Sequence, residues 1–191
     1  MIVFLTEEKS MQVTLEKLIA VRWPMSTPGI NWIVLSFQGK SDLEKNIACK
    51  MKSWNYGTPH FVILRDQDGS DCKAVKAALR QKATQGGQPF TVRVVCNELE
   101  SWFLGELDAV EAAYPKSRAS RYKQVERFRD PDTLGNANQE LEKLVQVVGK
   151  VGRAEAIASF FDPARCISSS FNVFWRTAKE LLGREVNHQS S

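Results

Sequence analysis

Acidic side chains follow three separate apolar runs in this sequence of 191 residues. Carboxylate oxygens are the ligands that Mg²⁺ and Mn²⁺ prefer in proteins. A cluster of carboxylates repels itself unless a positive group lies among them. The three acidic groups therefore predict a site for Mg²⁺ or Mn²⁺. Its candidate metal ligands are Glu7, Glu8, Asp66, Asp68, Glu98 and Glu100.

Several of these acids also have a purely structural interpretation. Asp and Gly favour tight turns for conformational reasons, and Asp71 can cap the helix that follows it. Asn97 and Glu100 have the spacing of a capping pair, and so do Ser41 and Glu44 at the start of a predicted helix. Residues two apart on a helix point in different directions, so we expect at most one of Glu98 and Glu100 to face the site. We favour Glu98.

Three other kinds of site do not fit the sequence. D66-Q-D-G-S-D71 resembles the start of a calcium loop, but Gly69 falls fourth rather than sixth and Ala77 stands where a bidentate Glu is needed. No glycine-rich phosphate loop follows any predicted strand. A receiver-like signalling module needs a further strand ending in a lysine, and none follows the fourth predicted strand.

The order of elements explains why the acids should meet. Four apolar runs that suit buried strands alternate with segments of helical periodicity, which predicts an α/β parallel sheet of about four strands with helices on both faces. Sites in such sheets form at the carboxyl ends of the strands. The predicted strands are residues 2–5, 32–37, 61–64 and 91–95.

Only helical patterns follow residue 97. We predict an α/β core over residues 1–106 and a helical extension over residues 107–191 that packs on it as one structural unit, because no linker separates them. The predicted helices of this half are residues 97–106, 108–114, 138–148, 153–161 and 168–182. The polar end, residues 188–191, is predicted to be frayed.

Composition excludes several classes. No segment has the apolar length needed to span a bilayer, the N-terminus does not read as a signal peptide, and we expect a cytoplasmic protein without a membrane partner. The four cysteines are irregularly spaced, which favours neither a zinc site nor a disulfide framework. The net charge of +4 is too small to argue for nucleic acid by itself.

Basic residues at two places could receive phosphate groups. Lys40 follows Gly39 at the start of a predicted helix, where free N–H groups favour an anion, and Arg65 immediately precedes the D-x-D pair; both are candidate catalytic residues. A basic segment with interleaved aromatic side chains suits contacts with the nucleic-acid backbone and bases, although a solvated loop would look similar. Its basic residues are Lys116, Arg118, Arg121, Lys123, Arg127 and Arg129.

An acid after strand one, D-x-D after strand three and an acid after strand four resemble the metal-binding TOPRIM domain of topoisomerases, primases and certain nucleases. Over nearly its whole length the chain also resembles a bacterial TOPRIM-like family, domain-of-unknown-function family 4276. Glu8 stands where a TOPRIM motif has Gly, so either Glu7 or Glu8 can be the ligand. The matching blocks are F4-L-T-E-E-K-S-M11, G39-K-S-D-L-E-K45, F61-V-I-L-R-D-Q-D68 with D71-C72, E98-L-E-S-W-F-L-G105 and F128-R-D-P-D-T-L-G135.

The resemblance implies a TOPRIM-like fold and work beside an ATPase encoded nearby, in defence against phage. From the acidic residues we expect a metal-dependent nuclease, in which the bound ions activate water and stabilise the phosphoryl charge. DNA is the expected nucleic-acid partner rather than RNA. The alternative is a non-catalytic TOPRIM-like subunit that binds the ATPase.

Overall fold

The computed structural model describes residues 1–188. Of the predicted frayed end, His188 is the last residue of a helix and residues 189–191 lie outside the described residues. The described residues contain a sheet of four parallel strands in the order β2-β1-β3-β4. This confirms the predicted α/β fold with a parallel sheet. The strands are β1 (Ile2–Thr6), β2 (Trp32–Ser36), β3 (His60–Asp66) and β4 (Phe90–Val95).

The helices that connect the strands are α1 (Lys9–Arg22), α2 (Lys40–Lys52) and α3 (Cys72–Thr84). Alternate side chains of a strand point to opposite faces of the sheet, so the apolar strands supply two separate cores. On one face, Val3 and Ile63 pack with Leu43 of α2 and Leu79 of α3. The strands need no polar face because helices cover both sides.

The second half of the chain covers the other face together with α1. Phe4 of β1 lies in the same core as Trp102, Phe171 and Phe174, and the rings of Trp102 and Phe174 stack with centroids 5.1 Å apart. One continuous core therefore contains residues from both halves. The helices of this half are α4 (Glu100–Leu104), α5 (Leu107–Ala113), α6 (Ala137–Val145), α7 (Lys150–Ala158) and α8 (Ser169–His188).

Short 3-10 turns fill the segment between α5 and α6, for which no regular element was predicted. The last of these turns positions Asp132, whose carboxylate accepts hydrogen bonds from the Ser170 backbone N–H (2.6 Å) and the Ser168 hydroxyl (2.7 Å). Asp132 thereby caps α8, which explains the F-R-D-P-D block structurally. The turns are Pro115–Ser117, Ala119–Gln124, Glu126–Phe128 and Pro131–Thr133.

Candidate functional site

The acids after β1, β3 and β4 lie at one edge of the sheet, because these three strands are adjacent and parallel. Asp66 is opposite Val95 in the register of β3 and β4. Asp66 interacts electrostatically with Glu7, Glu8 and Glu100. We call these four acidic residues the acidic edge.

Asp66 is the most deeply placed of the four. Its side chain is buried, with the residue 4% exposed, and its Oδ1 has no hydrogen-bond partner among the described residues. Burial raises its pKa well above the ordinary value of 3.8, and the neighbouring carboxylates of Glu7, Glu8 and Glu100 raise it further. Asp66 therefore carries negative charge only at a cost in free energy, which a cation would offset.

Glu7 lies directly against Asp66. Its Oε2 accepts a hydrogen bond from the Asp66 backbone N–H at 3.2 Å and lies 3.6 Å from Nε of Arg65. Burial raises the pKa of Glu7, and the charge of Asp68 adds to the rise. The backbone contact places Glu7, the first of the two acids after β1, beside the end of β3.

Glu100 is the acid that β4 contributes, although the sequence favoured Glu98. Glu100 is 2% exposed, and its Oε2 has no hydrogen-bond partner within the described chain. Burial raises its pKa. Glu98 instead accepts the backbone N–H of Asn138 at 2.8 Å, near the start of α6. Asn97 has a left-handed backbone (φ 56°) and donates to the Asp132 carbonyl at 2.6 Å, so it does not cap α4 as a pair with Glu100.

Two basic residues of α7 approach the acidic edge from the helical half. Lys150 Nζ is 3.7 Å from Glu8 Oε1. Burial alone would lower the pKa of Lys150, but Glu100 and Glu8 outweigh that effect and raise it. Arg153 is 1% exposed and lies 3.8 Å from Glu100 Oε1. It also donates to the carbonyl of Val147 at 2.8 Å.

Sequence reasoning missed Lys150 and Arg153 because they are distant from every acidic block along the chain. One signal was present in the sequence. Gly149-Lys150 repeats the arrangement of Gly39-Lys40, and both glycines precede a helix with φ of 97°. A positive φ of this size suits glycine, so each Gly-Lys pair marks a helix start at which a lysine lies beside free backbone N–H groups.

The two aspartates of the D-x-D pair have different surroundings. Asp68 adopts a left-handed backbone (φ 52°) in the turn after β3, and its Oδ2 lies 3.2 Å from Lys40 Nζ. Arg65 is buried and lies 3.0 Å from Glu44 Oε1 and 3.9 Å from Asp68 Oδ2. Asp68 therefore belongs to an ion-pair network with Lys40 and Arg65, next to the acidic edge but outside it.

Two predicted caps have different outcomes. Asp71 caps α3 by accepting the backbone N–H of Ala74 at 2.7 Å, which confirms its structural interpretation. Ser41 does not cap α2 with Glu44, because the helix begins one residue earlier, at Lys40, and Glu44 pairs with Arg65 instead.

The fit of a divalent cation can be tested against these contacts. No three His, Cys, Asp or Glu side chains in residues 1–188 are grouped as ligands of one metal ion. Two positions fit a hard cation in their chemistry, since Asp66 and Glu100 each present a buried oxygen without a hydrogen-bond donor. Glu7 is the third candidate because it touches Asp66. Binding of one ion by all three requires rotation of their side chains toward each other.

Half of the predicted nucleic-acid-binding residues are engaged within the protein. Lys123 pairs with Asp108 at 2.5 Å. Arg127 pairs with Glu140 at 2.9 Å, and Arg129 donates to the Gln124 carbonyl at 3.2 Å. The other three, Lys116, Arg118 and Arg121, line one cavity.

Comparison with known proteins identifies a family. A family model described as Domain of unknown function (DUF4276) matches residues 6–178. No curated protein and no solved structure matches the chain. Within the described residues, no helix combines the length and the apolar content that crossing a membrane requires.

Proposed function

The chain belongs to the family DUF4276, and we propose that it is a metal-dependent nuclease that hydrolyses phosphodiester bonds at the acidic edge. The observation that carries the proposal is the pair of buried oxygens of Asp66 and Glu100 without hydrogen-bond partners among the described residues. Burying such groups costs about 1–3 kcal/mol each, and more if charged. A site that retains two of them on carboxylates that repel each other is suited to a ligand that supplies positive charge.

Glu7, Asp66 and Glu100 are the residues that would hold Mg²⁺ or Mn²⁺. When bound, such an ion activates water and stabilises charge on the phosphoryl group. Glu8, held by Lys150 and by the hydroxyl of Ser10, borders the same space. Glu98 supports the site indirectly, because it fixes the start of α6.

The basic residues around the acidic edge divide into two roles. Lys40 and Lys150 are half-exposed and lie at helix starts, so each can approach a substrate phosphate. Arg65 is buried and surrounded by Glu7, Glu44 and Asp68. It positions Glu7 rather than contacting substrate, which differs from the catalytic role expected from the sequence.

The substrate and partner follow from the same proposal. Nucleic acid is the substrate class, with DNA the first to test and RNA the second. The resemblance to TOPRIM-like defence proteins adds an ATPase partner and a role against phage. We include the ATPase partner and the role against phage in the proposal.

The alternative function is a non-catalytic subunit that binds the ATPase. One observation favours it: Arg65 and Lys150 already supply positive charge to the acids, and no three acids in the described residues are grouped as metal ligands. Charges that are balanced in this way can be structural.

A cleavage assay separates the two functions. Purified protein, alone and with the ATPase, is incubated with DNA or RNA in Mg²⁺, Mn²⁺ or EDTA. We expect nicking with either ion, none in EDTA, and loss of cleavage with retained binding in Asp66→Asn and Glu100→Gln. Asp71→Asn is the matched control, because Asp71 is a helix cap in the next turn of the chain. Equal residual activity in wild type and both site variants would reject the nuclease in favour of the interaction subunit.

A further inference from the structure

A cavity of about 480 Å³ lies in the helical half and is lined by cations. Lys116, Arg118 and Arg121 come from the 3-10 turns, and Lys143 comes from α6. No carboxylate is among the residues that line it. We call this space the basic cavity.

Three of the four cations that line the basic cavity have no ion-pair partner within the described residues, unlike other basic residues of the segment. No carboxylate of the described chain lies within ion-pair distance of Lys116, Arg118 or Arg121, whereas Lys123 and Arg127 are paired. Lys143 pairs with Glu140 at 3.1 Å. Arg121 interacts electrostatically with Glu111 without forming an ion pair. The cavity still has an excess of positive charge, and an anion bound among the cations would reduce their mutual repulsion.

The backbone holds these cations in place at a conformational cost. Arg118 and Gln146, which both line the cavity, have left-handed backbones, with φ of 50° and 56°. Non-glycine residues rarely adopt this conformation. The Oγ of Ser117, also on the cavity wall, is buried without a hydrogen-bond partner in the part of the chain that the structure describes. A hydroxyl of this kind is available to an anionic ligand.

We propose that the basic cavity binds the terminal phosphate of a nucleic-acid strand. A terminal phosphate carries about −1.5 to −2 charges near neutral pH, whereas each phosphate within a strand carries one. The terminal group therefore matches three converging, unpaired cations better than an internal phosphate does. Tyr122 on the cavity wall offers an aromatic surface for the terminal base.

The basic cavity and the acidic edge are connected by one helix, so the proposal deepens and rests on the proposed nuclease function. α6 packs against α4, the helix that begins at Glu100 of the acidic edge, and Lys143 and Gln146 lie at the C-terminal end of α6. A helix of this length spans about 13 Å at ~1.5 Å per residue, which corresponds to about four nucleotides of duplex at ~3.4 Å each. The cavity would thus set cleavage a few nucleotides from a strand end.

Binding can be measured in EDTA, so that no chemistry is required. Fluorescence anisotropy compares short single strands of one sequence that carry a 5′-phosphate, a 3′-phosphate or hydroxyls at both ends. We expect one of the phosphorylated strands to bind about tenfold or more tightly than the hydroxyl strand, because a hydrogen bond to a charged group contributes that much. In Arg118→Gln/Arg121→Gln this preference should disappear.

Lys123→Gln is the matched control, since it removes a cation of the same segment that is paired with Asp108 outside the basic cavity. It should keep the preference for the phosphorylated strand. Thermal melting of each variant verifies that it is folded, and Lys116→Gln serves as a second cavity variant if the double variant is not. Lys116→Gln should also reduce the preference for the phosphorylated strand.

Three results would overturn the proposal: equal affinity for all three strands, loss of the preference in Lys123→Gln as well, or a free nucleoside monophosphate that binds as tightly as the phosphorylated strand. Failure of the nuclease proposal gives a different pattern, in which the end preference persists in EDTA but no strand is cleaved with Mg²⁺ or Mn²⁺. Cleavage that ignores the phosphorylation state of both ends would reject the cavity's role while leaving the nuclease intact.

Discussion

Replacement of Asp66 by Asn should stabilise the protein in the absence of metal. The substitution keeps the shape of the side chain and removes the charge from a buried group whose Oδ1 has no partner among the described residues. The amide of Asn is still polar, so the gain comes from removing the buried charge and its repulsion by Glu7, Glu8 and Glu100. We take this gain as about 1–3 kcal/mol, the size of the penalty for an unsatisfied buried group. In a protein of this size, ~1 kcal/mol changes Tm by about 2–4 °C. We therefore expect Tm in EDTA to rise by about 2–12 °C.

The gain should depend on pH in a defined direction. Because folding raises the pKa of Asp66, the folded state holds a proton that the unfolded state has already released between the two pKa values. Wild-type stability therefore falls as pH rises through that interval. Asp66→Asn lacks this loss, so the difference in Tm should be small below pH 3.8, the ordinary pKa, and largest above the raised one.

Differential scanning fluorimetry in EDTA and with added Mn²⁺ tests both effects. Mn²⁺ should raise the Tm of wild type, since an ion that binds only the folded state stabilises it, and should leave Asp66→Asn unchanged. Asp71→Asn weakens a helix cap and should not gain stability. A lower Tm for Asp66→Asn in EDTA would refute the reasoning, because it would mean that the carboxylate is a structural acceptor.

Three further substitutions test neighbouring contacts. Arg153→Met should lower the free energy of unfolding by about 3 kcal/mol in mildly alkaline urea, because it removes the buried cation beside Glu100 and leaves Lys150 as the remaining one. The loss should shrink in acid, where Glu100 is protonated, and an equal loss at both pH values would contradict this. Asp132→Ala should cost about 0.5–2 kcal/mol by urea denaturation, since it removes the cap of α8; an unchanged midpoint would show that the cap is dispensable. Lys150→Met should raise the pKa of Glu100 further, because the charge of Lys150 lowers it, and carboxyl NMR titration measures the change. An unchanged pKa would show that Lys150 does not interact electrostatically with Glu100.

The strands were predictable from sequence because each is a continuous apolar run, and a strand covered on both faces needs no alternation. Asp71 was predictable as a cap because the bond to Ala74 is local. The choice between Glu98 and Glu100 was not predictable. The chain turns at Asn97 through a left-handed conformation, which the direction of side chains on a helix does not reveal. Packing of the helical half determines which of the two glutamates lies at the acidic edge.

The basic side of the site was less predictable still. Lys150 and Arg153 reach the acids only because α7 packs beside α1 and α5, a tertiary contact that no local pattern encodes. The four 3-10 turns lack a strong hydrophobic period, so the sequence predicts no regular element between α5 and α6. Its basic residues could be recognised by type, but their division between paired and unpaired cations depends on where Asp108 and Glu140 lie.

The shared aromatic core has a consequence for biosynthesis. Phe4 of β1 packs against Phe174 of α8, with ring centroids 6.3 Å apart. During synthesis α1 can cover part of this face of the sheet, but the cover is incomplete until α8 has left the ribosome. Until then the face is open to chaperones and to aggregation. Lys150 and Arg153 also arrive late in translation. An incomplete chain would therefore carry the acids that follow β1, β3 and β4 without Lys150 and Arg153, the cations that lie beside them in the folded protein.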